Sequence, residues 1–160
     1  MPHKPRKRFG QNFLVDQQII NQIVSTISPK KNDHIIEIGP GKGALTFPLI
    51  DYLENIHVIE IDRDLIALLQ KKNNIKITIH ESDALVFNFD QFKQNIRIIG
   101  NLPYNISSPL LFHLLSYRDN IIDMTFMLQK EVVERIVAPP GSKVYGRISV
   151  IMQTFFDTEL

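Results

Sequence analysis

The sequence predicts an α/β fold: a doubly wound, mainly parallel sheet of five strands with helices on both faces. Short apolar runs rich in Ile and Val alternate with amphipathic stretches along the 160 residues. The runs scarcely alternate in polarity, which is typical of parallel strands buried on both faces. A glycine-rich turn follows the first run, at a place where sheets of this class bind ligands.

The five predicted strands are apolar runs at positions 34–39, 56–61, 75–80, 96–101 and 122–128. Because helical patterns separate them, we expect parallel strands joined by right-handed crossovers. Ligands of such sheets bind outside the carboxyl ends of the strands, near the point where the strand order reverses. Polar residues that follow each strand are therefore candidate site residues.

The first three predicted helices have recognisable start signals. Asp16 caps the first helix, in which isoleucines recur every fourth residue over 19–27 and form its apolar face. The second helix covers 45–53 with Pro48 in its first turn. The third covers 62–72, opening with acids and closing with lysines, which suits the helix dipole.

The last three predicted helices follow the fourth and fifth strands. Ser107 or Ser108 caps the fourth helix, and Pro109 is its first residue, where the missing N–H has no helical partner to lose. The fifth and sixth helices are predicted over 129–138 and 147–156.

Composition excludes several classes of protein. A hydrophobic content of 44% and a charged content of 22% are normal for one globular domain. No apolar run reaches the roughly 18 residues of a membrane span, so we expect no membrane association. The absence of cysteine excludes disulfides and favours the cytoplasm. The five histidines lack metal-ligand spacing, so we expect no metal, and we expect a monomer.

The positive charge is concentrated at the N-terminus. The segment 1–8 contains four basic residues and no acid, which leaves 14 basic residues against 17 acids elsewhere. Such a basic arm suits contact with a phosphate backbone. A solvated terminus is the alternative, and charge alone favours it.

The glycine-rich turn lies in the segment EIGPGKGALT, residues 37–46. Gly39, Gly41 and Ala44 fit the dinucleotide pattern G-x-G-x-x-G/A. Glu60 ends the next strand, about 20 residues on, where an acid that binds ribose belongs. The turn alone therefore allows NAD, or a glycine-rich turn that binds no ligand.

The same turn also fits E-x-G-x-G-x-G, the cofactor loop of S-adenosylmethionine-dependent methyltransferases, through Glu37, Gly39, Gly41 and Gly43. S-adenosylmethionine has no pyrophosphate, and its sulfonium and amino groups are cationic. Glu37 and Asp83 therefore favour the methyl donor, with Asp83 placed to accept a hydrogen bond from its adenine amino group. We predict Gly39 and Gly41 as cofactor contacts.

Asn101 ends the fourth predicted strand, Leu102, Pro103 and Tyr104 follow it, and together they suit methylation of an adenine amino group. The lone pair of that nitrogen is delocalised, so an enzyme must accept hydrogen bonds from the NH₂ and turn the lone pair towards the methyl group. The Asn101 side chain offers one acceptor, and the Leu102 carbonyl, restrained by Pro103, offers another. Tyr104 offers a face on which an unstacked base rests. A plain proline turn is the alternative.

Seven segments, taken together, resemble the bacterial ribosomal small-subunit RNA adenine N6-dimethyltransferases. They are RFGQNFL (8–14), EIGPGKGALT (37–46), VIEIDRD (58–64), SDAL (82–85), GNLPYNISSP (100–109), MLQKEVVERIVA (127–138) and YGRISV (145–150). The resemblance implies a Rossmann-like methyltransferase sheet. It also implies an antiparallel strand pair and a small helical C-terminal domain, which these 160 residues do not contain.

The resemblance implies further site residues. Asn12 and Leu14 match a segment that lies over the cofactor. Gly39, Glu60, Asp83 and Asn101 match the remaining cofactor-binding positions. Asn101, Pro103 and Tyr104 match the catalytic loop. On this basis residues 1–15 are a basic arm with a cofactor-covering segment, and residues 16–160 are the catalytic domain.

The implied function is dimethylation of two adjacent adenines in a hairpin near the 3′ end of small-subunit rRNA, during assembly of the small ribosomal subunit. Three alternatives stay open. They are a large-subunit rRNA dimethyltransferase of the macrolide-resistance type, a non-catalytic RNA-binding assembly factor, and a nicotinamide oxidoreductase.

Overall fold

The computed structural model of the chain describes residues 13–92 and 95–160. The basic segment 1–8 and Asn12, both singled out above, lie outside the described residues. Within the described parts, no helix is long and apolar enough to cross a membrane.

Helices and strands follow one another in the predicted order. The strands are β1 (His34–Ile38), β2 (Ile56–Glu60), β3 (Ile77–Glu81), β4 (Ile96–Asn101) and β5 (Ile121–Met127). The helices are α1 (Gln17–Ile27), α2 (Thr46–Ile50), α3 (Arg63–Gln70), α4 (Tyr104–Leu115), α5 (Lys130–Ile136) and α6 (Arg147–Phe155). Short 3₁₀ turns cover Phe89–Phe92 and Arg118–Asn120.

The five strands form one parallel sheet in the order β3-β2-β1-β4-β5. β1 lies at its centre, where Glu37 is opposite Val58 of β2 and Ile99 of β4. The strand order reverses between β1 and β4, which is the switch point at which such sheets bind ligands. The predicted doubly wound parallel fold is therefore confirmed.

Two apolar clusters cover the two faces of the sheet. Ile35 belongs to one cluster and Ile36 to the other, because successive strand residues point to opposite faces. The first cluster includes buried residues of α1, α2 and α3, and the second includes those of α4 and of the turn at Phe89. Helices on both faces are thus confirmed as well.

Burial on both faces, predicted for every strand, holds only for the inner three. Most residues of β1, β2 and β4 are buried. β3 and β5 are only partly buried, because they are the edge strands and lack one neighbour. Their composition gave no sign of this position.

The first helix is capped as predicted but presents a different face to the core. The Asp16 carboxylate accepts hydrogen bonds from the backbone N–H of Gln18 and Ile19, at 2.9 and 3.2 Å. Of the predicted stripe, Ile27 is buried and Ile23 packs against the first cluster, but Ile19 is 42% exposed, so the stripe is wrong at that position. The buried residues are Ile20, Val24 and Ile27. Their spacing of four and then three follows the 3.6-residue helical turn.

The fourth helix begins earlier than predicted. It starts at Tyr104, so the predicted cap at Ser107 or Ser108 is wrong, and Pro109 lies inside the helix. The missing N–H of Pro109 leaves the Asn105 carbonyl without its helical donor. Because both residues are exposed, water can take the place of that donor.

An ionic network fixes the amino-terminal edge of the sheet, opposite the candidate site. The Arg97 guanidinium on β4 donates to Asp33 at 2.6 Å, to Asp123 of β5 at 2.9 Å, and to the carbonyl of Ile27 at 2.7 Å. These contacts hold α1, β4, β5 and the turn before β1 together.

Candidate active site

A cavity of about 390 Å³ lies at the carboxyl ends of the strands. Residues that end or follow all five strands line it, together with Phe13 and Leu14. Every predicted site residue that the structure describes lies in its wall: Leu14, Gly39, Gly41, Glu60, Asp83, Asn101, Leu102, Pro103 and Tyr104. The carboxyl ends of parallel strands meet at one edge of the sheet, which explains why residues so distant in sequence come together.

The glycine-rich turn after β1 forms one wall. Gly39, Gly41 and Gly43 have positive φ angles of 68°, 58° and 84°. The Gly39 N–H donates to the carbonyl of Ile59 on β2 at 2.9 Å, which fixes the turn to the neighbouring strand. A Cβ on Gly39 would meet no atom within 4 Å, so this residue leaves open space beside the backbone. A ligand can therefore approach the main chain there.

Glu60 connects this turn to the end of β2. Its Oε2 accepts a hydrogen bond from the Gly41 N–H at 3.3 Å, and its Oε1 accepts from Ile61 and Asp62 at 2.9 Å each. The residue is only 6% exposed, and burial raises the pKa of its carboxyl group above the ordinary value. The three backbone donors partly offset this effect on the pKa.

Glu37 is a second buried acid in the same wall, 2% exposed. The Thr46 hydroxyl donates to its Oε2 at 2.6 Å. Burial raises the pKa of Glu37 to about 7, the negative charge of Glu60 adds to the rise, and the hydrogen bond from Thr46 opposes it. Sequence reasoning used Glu37 to choose between cofactors but did not count it among the site residues.

Asp83 lies two residues beyond β3. Its Oδ1 accepts a hydrogen bond from the Leu85 N–H at 2.9 Å, so the residue closes a local turn. The preceding Ser82 donates its N–H to the Glu60 carbonyl at 3.0 Å. This bond places the Asp83 turn beside the end of β2.

The segment Asn101–Tyr104 joins β4 to α4 and forms another part of the cavity wall. The Leu102 N–H donates to the carbonyl of Met127 on β5 at 3.0 Å, and the Leu102 side chain is buried. Pro103 is the N-cap of α4, with φ −65° and ψ 145°. Tyr104 is 59% exposed at the first position of that helix, so its ring remains accessible.

Phe13 and Leu14 cover the glycine-rich turn. The ammonium nitrogen of Lys42 lies 4.6 Å from the centre of the Phe13 ring, a cation–π contact. Leu14 also packs against the first core cluster. Leu14 was predicted at this site, whereas Phe13 and Lys42 were not, and Asn12 lies outside the described residues.

Sequence reasoning missed two further features of this edge of the sheet. Met127 at the end of β5 lines the cavity with Leu128 and Gln129, which follow, and only the position of β5 beside β4 brings them there. A Cβ on Gly100 would lie 2.6 Å from the carbonyl oxygen of Ile38, so only glycine fits where β4 passes β1. A glycine inside an apolar strand is a readable signal of such a close approach.

Residues 13–92 and 95–160 contain no group of three or more His, Cys, Asp or Glu side chains that could hold a metal ion.

A protein-family model described as "Ribosomal RNA adenine dimethylase" matches residues 2–160. A ribosomal RNA small subunit methyltransferase A of Dechloromonas aromatica is 58% identical over 158 residues, covering 98% of this chain and 62% of that relative. Its counterpart in Nitrosospira multiformis is 54% identical over 160 residues, covering 99% of this chain and 62% of that relative. The chain thus spans about 62% of the length of these relatives.

Two solved structures have the same fold over most of the chain. A dimethyladenosine transferase from Plasmodium falciparum superposes with a TM-score of 0.78 and 31% identity, covering 87% of this chain and 51% of that one. The 23S rRNA methyltransferase ErmE superposes with a TM-score of 0.72 and 27% identity, covering 88% of this chain and 55% of that one.

Proposed function

The chain belongs to the ribosomal RNA adenine dimethylase family, and from this premise we propose that it catalyses dimethylation of adenine N6 in small-subunit rRNA with S-adenosylmethionine as methyl donor. The targets are two adjacent adenines in a hairpin near the 3′ end of that RNA. One observation carries the proposal: the acid-lined glycine turn and the Asn101–Tyr104 segment line the same cavity.

The cavity wall fits S-adenosylmethionine better than NAD. The carboxylates of Glu37, Glu60 and Asp83 line it against one ammonium group, that of Lys42. Such a wall repels a pyrophosphate and attracts a cation. The open space beside Gly39 lets a ligand reach the backbone of the turn. When bound, S-adenosylmethionine supplies an electrophilic methyl group carried on a sulfonium sulfur.

We propose that Glu60 and Asp83 hold the adenosine part of the cofactor. The Glu60 carboxylate receives three backbone N–H groups, and a carboxylate has about four acceptor positions. It can therefore still accept from a ribose hydroxyl. Asp83 accepts from the adenine amino group. The remaining proposed cofactor contacts are Asn12, Leu14, Gly39, Gly41 and Asn101.

The reaction needs the N6 lone pair of the target adenine to be turned out of conjugation. The side-chain oxygen of Asn101 and the carbonyl of Leu102 accept the two hydrogen bonds that achieve this. The backbone bond from Leu102 to Met127 and the fixed φ of Pro103 hold the segment in place. Rigid placement of this kind lowers the entropic part of the barrier.

Tyr104 receives the target base after it leaves its stack. Tyr104 lines the cavity, is 59% exposed and is the first residue of α4. Its ring therefore presents an accessible apolar face on a residue that the helix holds in place. No strong general base is required in the wall, because the methylated nitrogen is acidic and its proton leaves to solvent.

We propose the same division of the chain as above: residues 1–15 form a basic arm and cofactor cover, and residues 16–160 form the catalytic domain. The partner is small-subunit rRNA within an assembling ribosomal subunit. The proposed location is the cytoplasm, and the proposed state is a monomer without a metal ion. The arm contributes phosphate contacts through its four basic residues.

A large-subunit rRNA adenine dimethyltransferase is the second candidate, favoured by the structural likeness to the 23S rRNA methyltransferase. The higher identity to the small-subunit relatives favours the first. The two candidates share the cavity and its chemistry and differ only in the RNA.

The test is incubation of the chain with S-adenosylmethionine and either unmethylated small subunits or unmethylated large-subunit rRNA. Digestion and mass spectrometry of the nucleosides then identify the product. N6,N6-Dimethyladenosine in the small-subunit RNA, absent with Asn101→Ala, is the expected result. Product only in the large-subunit RNA supports the second candidate. A folded chain that modifies neither RNA contradicts both and points to an assembly factor.

A further inference from the structure

Glu37 is a buried acid of the cavity wall that contributes to its negative charge but has no proposed contact with the cofactor or the target base. It lies on β1, between β2 and β4, and its register partners on those strands, Val58 and Ile99, are apolar. Among residues 13–92 and 95–160 the Thr46 hydroxyl donates a hydrogen bond to it, and none of the ion pairs there includes it. Burying an ionised carboxylate without a cation is costly, so this group either takes up a proton or is stabilised by a positively charged ligand.

We propose that Glu37 sets the preference of this cavity for a cationic methyl donor over the neutral thioether product that remains after transfer. The inference rests on the proposed function, since it takes S-adenosylmethionine and S-adenosylhomocysteine as the two ligands. The donor carries one positive charge more than the product, on its sulfur. Glu37 acts through that charge as a specificity-determining residue.

The charges around the cavity make this role specific to Glu37. Glu60 faces it from β2, and Asp83 follows β3, so both add negative potential. Glu60, however, already receives three backbone N–H groups. The Lys42 ammonium, the cation of the described cavity wall, is engaged with the Phe13 ring. α2 contributes only the neutral Thr46 hydroxyl. Asp83 also accepts one backbone hydrogen bond but is only partly buried, whereas Glu37 is 2% exposed, so a ligand cation gains most from the Glu37 carboxylate.

The linkage to protons follows from the charge state of Glu37. Its pKa is raised to about 7, so near neutral pH the side chain is partly protonated. A cationic ligand favours the ionised form and expels the proton, whereas a neutral ligand leaves it bound. Donor affinity should therefore rise relative to product affinity as the pH increases through about 7.

The test is calorimetric titration of the full chain with S-adenosylmethionine and with S-adenosylhomocysteine, between about pH 6 and pH 8. We expect the ratio of donor to product affinity to rise about tenfold across this range in the wild type, since the ionised fraction of a group with a pKa near 7 changes by that factor. Below neutral pH, donor binding should release protons, measured as heats that differ between two buffers.

In Glu37→Gln the ratio of donor to product affinity should no longer rise in this way with pH. The variant should lose affinity for S-adenosylmethionine but not for S-adenosylhomocysteine. The ligand's own amino group titrates in both proteins, so the difference between wild type and variant isolates Glu37. Glu54→Gln is the matched control, because Glu54 pairs with Lys31 at the surface and carries the same change of charge. It should behave as the wild type does.

Thr46→Val supplies an independent variant, should Glu37→Gln not fold by circular dichroism. The hydrogen bond from the Thr46 hydroxyl lowers the pKa of Glu37, so its loss should raise that pKa further. The rise in the ratio of donor to product affinity should therefore occur at higher pH. If the ratio of donor to product affinity varies with pH in the same way in the wild type and in its variants, the inference is overturned, while the proposed function stands. A folded wild type that binds neither ligand overturns the proposed function and the inference with it.

Discussion

Oε2 of Glu60, at the end of β2, accepts a hydrogen bond at 3.3 Å from the backbone N–H of Gly41 in the turn after β1. This bond joins the acid proposed to bind ribose to the turn proposed to approach the cofactor. The same carboxylate also accepts from the first two residues after β2, Ile61 and Asp62. One side chain therefore both shapes the cavity and contacts its ligand.

Substitution Glu60→Gln should weaken S-adenosylmethionine binding by about tenfold or more. The neutral amide loses charge-assisted acceptors, and its NH₂ faces backbone N–H groups that it cannot satisfy. Calorimetric titration measures the change in affinity. Glu54→Gln, at the exposed ion pair with Lys31, serves as the control. Equal affinity in wild type and Glu60→Gln would remove Glu60 from the cofactor site.

Asn101→Ala should lower the rate of methyl transfer by about 10² or more, because the target amino group loses the acceptor that orients it. Cofactor affinity should fall much less than the rate. Single-turnover methylation and calorimetric titration of the same preparation separate the two effects. Unchanged turnover would show that Asn101 does not orient the base.

Tyr104→Ala should weaken RNA substrate binding by about tenfold or more, since stacking of a base on an aromatic ring contributes about 1–3 kcal/mol. Tyr104→Phe keeps the ring and should stay close to the wild type. The KM for RNA in the methylation assay measures both. If the phenylalanine variant is as defective as the alanine variant, the hydroxyl group and not the ring face is what matters.

Arg97→Ala should destabilise the fold by about 3 kcal/mol, because it leaves partly buried acids without their cation. The Arg97 side chain is 14% exposed and contacts Asp33, Asp123 and the Ile27 carbonyl. Urea unfolding measures the change, and Lys at this position should recover only part of it, because it cannot form the forked contacts. Unchanged stability would mean that the network contributes nothing. Because the network lies at the far edge of the sheet, cofactor affinity of the folded variant should persist.

His57 and His80 should make the fold less stable in acid. Nδ1 of His57 lies 3.0 Å from Nε2 of His80 on the adjacent strand. Burial lowers the pKa of both rings, and for His57 the charge of His80 lowers it further. A pKa below the unfolded value of 6.5 means that the unfolded chain binds protons first. The contribution is complete above about pH 6.5 and is lost as the pH falls towards the folded-state pKa.

Urea unfolding at several pH values tests this effect. Glu37 and Glu60 act in the opposite sense, because their raised pKa values make protonation favour the folded state as the pH falls. His80→Phe, which suits the contacts of His80 with Phe87 and Phe92, isolates the histidine contribution. The wild type should lose more stability than this variant between about pH 7 and pH 5.5. Parallel curves would contradict the prediction.

The sequence was most informative where local chemistry and strand order agree. Glu60 and Asn101 end strands and Asp83 follows one, all three strands being predicted correctly in kind and nearly in position, and the parallel sheet then brings these residues to one cavity. Strand order itself is not local, which is why the partial burial of β3 and β5 could not be read from their composition.

The errors have local physical causes. Pro109 is typical of a helix start, but the helix already begins at Tyr104 and tolerates the proline at an exposed position. The participation of Met127 depends on the pairing of β5 with β4, which no motif indicates. Glu37 was identified as a favourable charge, yet its burial and its contact with Thr46 required the packed structure.

Calorimetric titration of the folded wild-type chain with S-adenosylmethionine, and separately with NAD, tests most directly whether this cavity holds a methyl donor. Saturable binding of S-adenosylmethionine with no detectable binding of NAD is the expected result, in keeping with the three carboxylates of the wall. Selective binding of NAD, or no binding of S-adenosylmethionine by a chain that circular dichroism shows to be folded, would contradict it.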